Sequence, residues 1–193
     1  MDLLDLIKKR RTVRKHKSKR VPKEIIEKII EAGRWAPSAH NLQPWKFVIV
    51  DNDDKINQIA DLLDKRADEL YSGFNIVMRD TAKNLRRSHL LLAIYSNKII
   101  TDKFNKLGSP YSEIGNIYEI QSVTNAIENI LLYSHSLNLG MAWYGMTLFC
   151  EKEINVLLNQ TGRLMAVLSL GYPDEVPAPS VRKEISEIVE FIK

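Results

Sequence analysis

Apolar side chains fall at helical spacing near the start of the chain, at Leu3, Leu4 and Ile7, which predicts a short amphipathic helix over residues 2 to 9. The next series, Ile25, Ile26, Ile29 and Ile30 in "PKEIIEKIIEAGRWA", has the same period and must bury one face. Pro22 suits its first turn and Pro37 stops it. The pattern then switches to the β-branched and aromatic run "WKFVIV", a strand over 45 to 50. Asp51 to Asp54 turn the chain. Ile56, Ile59, Leu62, Leu63 and Leu70 predict a helix over 54 to 70, and "HLLLAIYS" over 89 to 96 reads as a buried strand.

Between Thr101 and Gly115 the pattern is least regular, and the stretch holding "GSPYSEIG" is either a mobile lid or a helix. Residues 119 to 140 form the longest helix candidate, apolar on more than one face and therefore central, with Gly140 as its C-terminal cap. "MAWYGM" predicts a short strand, "EKEINVLLNQ" a helix, "RLMAVLSLGYP" a strand and "RKEISEIVEFI" a closing helix. No internal repeat or linker interrupts the chain, so one domain over residues 1 to 193 is expected. Interleaved helices and strands predict an α/β or α+β sheet covered by helices.

Composition changes this picture little, since 45% hydrophobic and 27% charged residues suit a packed, soluble chain of 193 residues. Charge changes it more. Residues 8 to 20, "KKRRTVRKHKSKR", hold nine of the 28 basic residues and none of the 24 acids, so the remainder, with 19 basic residues, is acidic by five. A protein that tracks nucleic acid usually spreads its cations over a face. This concentration points to a basic arm or to a local anion site, and composition leaves both open. The single cysteine, Cys150, excludes an internal disulfide and a cysteine-based zinc site, and reads as an inert buried thiol. The first residues carry acids where a signal peptide needs positive charge, and no run approaches membrane-spanning length. The expectation is a cytoplasmic protein without membrane partners.

No G-x-G-x-x-G, P-loop, G-x-S-x-G or H-E-x-x-H motif occurs, which argues against a Rossmann dinucleotide site, a P-loop NTPase and a zinc protease. His16, His40, His89 and His135 stand apart in the sequence and imply no metal. The informative stretch is "APSAHNLQPW", residues 36 to 45. It is either a plain helix-to-strand turn or a platform whose backbone N–H groups and amide side chains read the polar edge of a flat heterocycle. Trp143 and Tyr144 read as core aromatics or as site residues.

Four stretches in order, "RRTVR" (10 to 14), "APSAHNLQPWKFVIV" (36 to 50), "NLGMAWYG" (138 to 145) and "GYPDEVPAPSVRK" (171 to 183), resemble the FMN-dependent nitroreductase family over nearly the whole chain. The resemblance implies an α+β fold, a mixed sheet covered by helices, that forms a homodimer with FMN in pockets at the subunit interface. The family's R-[RH]-[ST]-x-[RK] motif becomes Arg10, Arg11, Thr12 and Arg14. By resemblance the first arginine reaches the flavin phosphate and ribityl chain, and Arg14 reaches the N1 and O2 edge. Both roles suit guanidinium chemistry, because a phosphate carries up to about two negative charges and binds bidentately, while a cation at N1 stabilises reduced flavin. Lys83 resembles a second lysine at that edge. Pro37, Ser38, Ala39, His40 and Asn41 match a loop that touches the flavin ring from the partner subunit. Tyr144 and Gly145 match the backbone facing N5, and Arg182 matches a final phosphate-binding arginine. A lysine commonly precedes that arginine by two residues in the family, and Ser180 stands there in this chain.

The resemblance implies hydride transfer from NADH or NADPH through flavin N5 to a nitroaromatic, quinone or similar electron-poor acceptor. The cofactor carries that chemistry, so no indispensable catalytic side chain is expected. Two alternatives stand beside it. One is a nucleic-acid-binding protein using residues 8 to 20 as an arm, and the other is a specialised flavoenzyme of the same fold, such as a reductive dehalogenase. Lys15, Lys17, Lys19 and Arg20 have no flavin contact under the leading reading, which expects a solvated connection and no nucleic acid partner.

Overall fold

The computed structural model describes residues 2–71, 73–108 and 110–192. Along the chain come α1 (Leu3–Lys9), α2 (Lys23–Arg34), β1 (Trp45–Val50), α3 (Asp53–Ala67), α4 (Phe74–Leu85), β2 (Leu91–Ser96), α5 (Ile99–Asn105), α6 (Tyr111–Ser136), β3 (Gly140–Trp143), α7 (Glu151–Leu158) and β4 (Arg163–Gly171). The strands form an antiparallel sheet in the order β1-β2-β4-β3. The one parallel pairing among the described residues is a bridge between Thr12 and Met141.

All six residues of β2 are buried, because a helical layer covers each face of the sheet. Leu91, Ala93 and Tyr95 point into a core with Ile56, Ile59 and Leu63 of α3, Met78 and Leu85 of α4 and Ile154 of α7. Leu92 and Ile94 point the other way, toward Ile26 and Ile29 of α2 and Val123, Ile127 and Ile130 of α6. Each fully buried Leu or Ile is worth roughly 1.5–3 kcal/mol, so this alternation fixes the register of β2 against a one-residue slip. The result is an α+β sandwich, as the interleaved pattern predicts.

Helix α6 sits centrally and spans 26 residues, longer than the predicted 119 to 140 at its start and shorter at its end. Its neighbours approach closely: a Cβ on Gly33 of α2 would lie 2.7 Å from the Ile130 side chain, and one on Gly115 would lie 2.5 Å from Phe104 of α5. The span 101 to 115 is helical in α5 and again from Tyr111, the start of α6, with a turn between them, and Ser109 lies outside the described residues. Glu119, buried on α6, accepts from the Ser96 hydroxyl and from the backbone N–H of Thr101 at 2.7 Å, tying α5 to the end of β2.

Two expectations are corrected, and one element is not anticipated. Gly140 does not cap α6: Asn138 takes the left-handed position with φ 58°, and Gly140 opens β3. The closing helix over 182 to 192 is a single 3-10 turn, Ile185–Glu187, in an otherwise irregular tail. Its apolar side chains stay in solvent, Phe191 at 85% and Ile192 at 92%, and a short helix with no surface to bury its stripe on is marginal in water. Finally, α4 escapes the pattern reading, because its apolar residues include exposed Phe74, Ile76 and Val77 as well as buried Met78 and Leu85.

The basic segment is laced to the far end of the sheet. Val13 donates to the Met141 carbonyl at 2.9 Å, Asp174 donates to the Lys15 carbonyl at 2.9 Å, and Lys17 donates to the Tyr172 carbonyl at 2.9 Å. Val13 is buried, and Gly140 leaves room for it: a Cβ there would fall 2.6 Å from the Val13 Cβ. Replacing Gly140 with alanine should therefore cost about 1–3 kcal/mol in a urea unfolding experiment, and adding Val13→Gly, which removes the Cβ that the alanine would strike, should cost less than it does in the wild-type background. Equal, additive losses would show that the two positions do not press on each other.

Candidate functional site

Sequence places nine cations in residues 8 to 20, and the structure sorts them by what their neighbours do. Arg10 ends α1, and Arg11 turns back so that its Nη1 donates to the carbonyls of Lys8 at 2.6 Å and Arg10 at 2.7 Å. Thr12 bridges to Met141. Arg14 is exposed, while its backbone N–H donates to Oε1 of Glu175 at 2.6 Å, and the N–H of Lys15 reaches the same oxygen at 3.1 Å. Burial pushes the Glu175 carboxyl up, but these two donors and the Lys15 and Arg14 charges outweigh it and hold its pKa below the ordinary carboxylate value.

Lys9, Arg11, Val13, Asn138, Pro173 and Glu175 help to line a cleft of about 350 Å³. His135, in the last turn of α6, also lines it and is kept neutral at lower pH than usual, first by burial and then by the charges of Arg10 and Arg11. Arg10 and Arg11 therefore act on one spot. The cleft has a cationic rim and an apolar floor, a combination that fits an anionic group attached to a flat apolar body.

Tyr144 follows β3 and packs its ring into the core, with a backbone N–H donated to Val167 at 2.9 Å. Burial pushes its hydroxyl pKa up, against the pull of the Arg14 charge. Trp143 is 40% exposed, so of the two aromatics Tyr144 is the core residue. Gly145 opens the turn Gly145–Cys150, and a Cβ built on it meets nothing within 4 Å. Its backbone is thus open to a flat ligand. Helix α4, carrying exposed Lys83 in its last turn, packs against this turn, with the Phe74 and Phe149 rings 6.5 Å apart.

The loop of Pro37, Ser38, Ala39, His40 and Asn41 is held from α6. Ala39 donates its N–H to the Ser122 hydroxyl at 3.1 Å, and the Asn125 amide donates to the Pro37 carbonyl at 3.3 Å. Ser38 accepts from the Gln43 N–H at 3.0 Å. His40, Asn41 and Gln43 have φ of 51°, 54° and 46°, a left-handed conformation that costs a non-glycine residue about 1–3 kcal/mol. Three such residues in four positions are more than a plain turn requires. With Tyr118, Gln121, Ser122 and Asn125 the loop lines a second cleft of about 340 Å³.

The two clefts share no residue among those described. Gln121 and His135 are 14 residues apart on α6, roughly 20 Å at 1.5 Å per residue. One chain therefore brings the segment of Arg10, Arg11, Thr12 and Arg14 to the end of the sheet where Gly140 pairs with Gly171, lets Tyr144 and Gly145 follow the other end of β3, and sets the 37–41 loop elsewhere. Arg182 is not brought to the cleft; its Nη1 donates only to the neighbouring Val181 carbonyl at 3.0 Å.

The surplus cations have structural neighbours. Arg20 pairs with Asp51 and, at 3.1 Å, with Asp53, and Lys19 lies 4.5 Å above the Tyr172 ring. Glu175 and His135 escape sequence reasoning: an acid beside cations hides in a basic motif, and a lone histidine carries no spacing signal. Among the described residues no group of three or more His, Cys, Asp or Glu is placed to hold a metal, and no helix is long and apolar enough to cross a membrane. Cys150 is buried, with its thiol pKa pushed up by that burial.

The family model described as the nitroreductase family matches residues 7–172. An iodotyrosine deiodinase of Thermotoga neapolitana is 28% identical over 183 residues, covering 95% of this chain and 95% of the relative. A Methanothermobacter thermautotrophicus protein, provisionally named an NADH dehydrogenase/NAD(P)H nitroreductase, is 29% identical over 181 residues, covering 92% of this chain and 80% of the relative. The crystal structure of a BluB-like flavoprotein from Clostridium difficile 630 is similar at a TM-score of 0.81 and 30% identity, with both chains covered in full.

His16 gives this region a pH signature. It is buried, with Nε2 3.0 Å from the Ser169 hydroxyl, and burial drives its pKa from 6.5 to about 4 against the pull of Glu175. The unfolded chain takes up a proton below pH 6.5 and the folded chain does not, so stability is full above that pH and falls as the pH drops toward 4. At 1.36 kcal/mol per unit this amounts to about 2–3 kcal/mol. Denaturant unfolding across pH 4 to 7 should show that loss in the wild type and a flatter profile in His16→Asn.

Proposed function

The chain belongs to the nitroreductase family, and from that premise we propose an FMN-dependent homodimeric oxidoreductase that passes hydride from NADH or NADPH to a nitroaromatic, quinone or similar electron-poor acceptor. The observation that carries this reading is the cation-rimmed, apolar-floored cleft that Lys9, Arg11 and Val13 line beside the tethered backbone of Arg14, together with the open backbone of Gly145 after β3. A phosphate suits Arg10 and Arg11, a flat ring suits the open backbone, and the Arg14 charge suits the electron-rich edge of the ring. FMN, when bound, supplies the two-electron chemistry, accepting hydride from the nicotinamide and passing the electrons on.

The chain's own residues have the tasks of holding, orienting and screening. Arg10 and Arg11 would hold the phosphate, with Thr12 beside them. Arg14 and, from α4, Lys83 would place positive charge at the N1 and O2 edge and favour the reduced form. Tyr144 and Gly145 would present backbone to the ring near N5. Pro37, Ser38, Ala39, His40 and Asn41 would close the ring's other side from the partner copy, and Arg182 would join the phosphate from the tail.

Dimerisation is supported by what one copy leaves undone. The 37–41 loop faces a cleft far from the clamp, and the tail carries Val181 at 95% exposure together with Ile185, Ile188, Phe191 and Ile192. Such a run of apolar side chains in solvent calls for a surface to cover it, and a second copy provides one by symmetry. The nucleic-acid arm loses support, because Arg20 and Lys19 are taken up by Asp51, Asp53 and Tyr172. A specialised flavoenzyme such as a reductive dehalogenase keeps support from the deiodinase relative, which matches end to end.

Purified protein should be yellow, elute as a dimer and oxidise NADH or NADPH with menadione or a nitrofuran. Replacing Arg10 and Arg14 together by alanine should weaken FMN binding roughly 100-fold or more, at about 1.5–3 kcal/mol for each charged contact. Unchanged flavin content in that variant would sink the clamp assignment, and colourless protein with salt-sensitive DNA binding would sink the cofactor reading. Turnover of iodotyrosine in preference to the nitrofuran would select the dehalogenase reading.

A further inference from the structure

We propose that Glu175 is the positioning residue of the cofactor clamp, fixing the backbone of Arg14 and Lys15 through one carboxylate oxygen and setting a negative charge against the Arg14 cation. The inference rests on the FMN reading above. Oε1 of Glu175 accepts from both N–H groups, at 2.6 and 3.1 Å, across 161 and 160 residues of sequence. No turn or helix of their own satisfies those donors, so the carboxylate decides where the chain carrying Arg14 runs. Glu175 also lines the same cleft as Lys9 and Arg11. An acid in a phosphate cleft would repel the ligand if its charge were free; here two backbone dipoles and the flanking cations Arg14 and Lys15 take it up.

The placement has two separable consequences. The acceptor oxygen holds geometry, and the charge opposes Arg14 at the edge of the ring where reduction deposits negative charge. A glutamine keeps an acceptor and loses the charge, whereas an alanine loses both. Neighbouring lacing, from Asp174 N–H to Lys15 and from Lys17 N–H to Tyr172, involves backbone alone and survives either change.

The test titrates FMN into apoprotein, reading flavin fluorescence for affinity, and measures the flavin midpoint potential of each holoprotein by dye equilibration. Glu175→Ala should bind FMN about tenfold or more weakly, in keeping with the loss of hydrogen bonds to a charged group. Glu175→Gln should stay within about threefold of wild type, and its midpoint potential should move to a more positive value. If Glu175→Ala fails to fold, the affinity and potential of Glu175→Gln decide the matter alone. Wild-type affinity in Glu175→Ala, equal weakening in both variants, or an unmoved potential in Glu175→Gln would overturn the proposal. A wild-type protein that binds no FMN would overturn the cofactor reading itself.

Discussion

A segment with nine cations in thirteen residues repels itself, and beyond α1 its backbone N–H groups at Val13, Arg14, Lys15 and Lys17 are satisfied by distant parts of the chain. What fixes it is the edge-on lacing of residues 12 to 17 to Met141 and to residues 172 to 175. That contact joins the two ends of the chain's sequence at one end of the sheet, and it exists only because β3 and β4 are already paired there. The backbone position of Arg14 consequently depends on a contact with residue 175, far away in sequence. Steric fit reinforces the hydrogen bonds, since Gly140 and Gly171 leave the space that Val13 and His16 fill.

The doubly buried β2 does the corresponding task for the rest of the molecule. Its alternate residues feed two separate cores, so the helices on the two faces are positioned independently of each other and referred to one rigid strand. Helix α6 then acts as a ruler. Its first half holds the 37–41 loop through Ser122 and Asn125, and its last turn faces the clamp through His135. A helix of fixed rise sets these two clefts at a fixed separation that no side-chain movement can close.

Legibility in the sequence tracks how local each signal is. The strand over 45 to 50 is read with its observed ends because composition and flanking turns coincide, and the helices α2 and α7 are read because one apolar stripe meets one core. Helix α4 is missed because its stripe is divided between a buried side and an exposed one. The tail is misread for the opposite reason: Ile185, Ile188 and Ile192 have helical spacing, yet among the described residues that stripe stays exposed. The arginines of residues 10 to 14 are legible through their motif, whereas the carboxylate that accepts from the Arg14 backbone is not. Glu175 belongs to the last of the matched stretches, but its role depends on a contact spanning 161 residues.

The strained loop closes the same line of reasoning. Left-handed backbone at His40, Asn41 and Gln43 costs folding free energy in the isolated chain, and its anchors at Ser122 and Asn125 do no more than hold it. A sequence free to choose would place glycine at such positions, which relieves the cost but releases the backbone. Keeping His, Asn and Gln there means that side chains and a rigid backbone are needed on that face together. A rigid polar face is of use only against something that must be met without rearrangement, and in one copy nothing meets it. The strain is therefore best understood as preorganisation: its cost is met once, in folding, so that whatever meets this face need not reorder it.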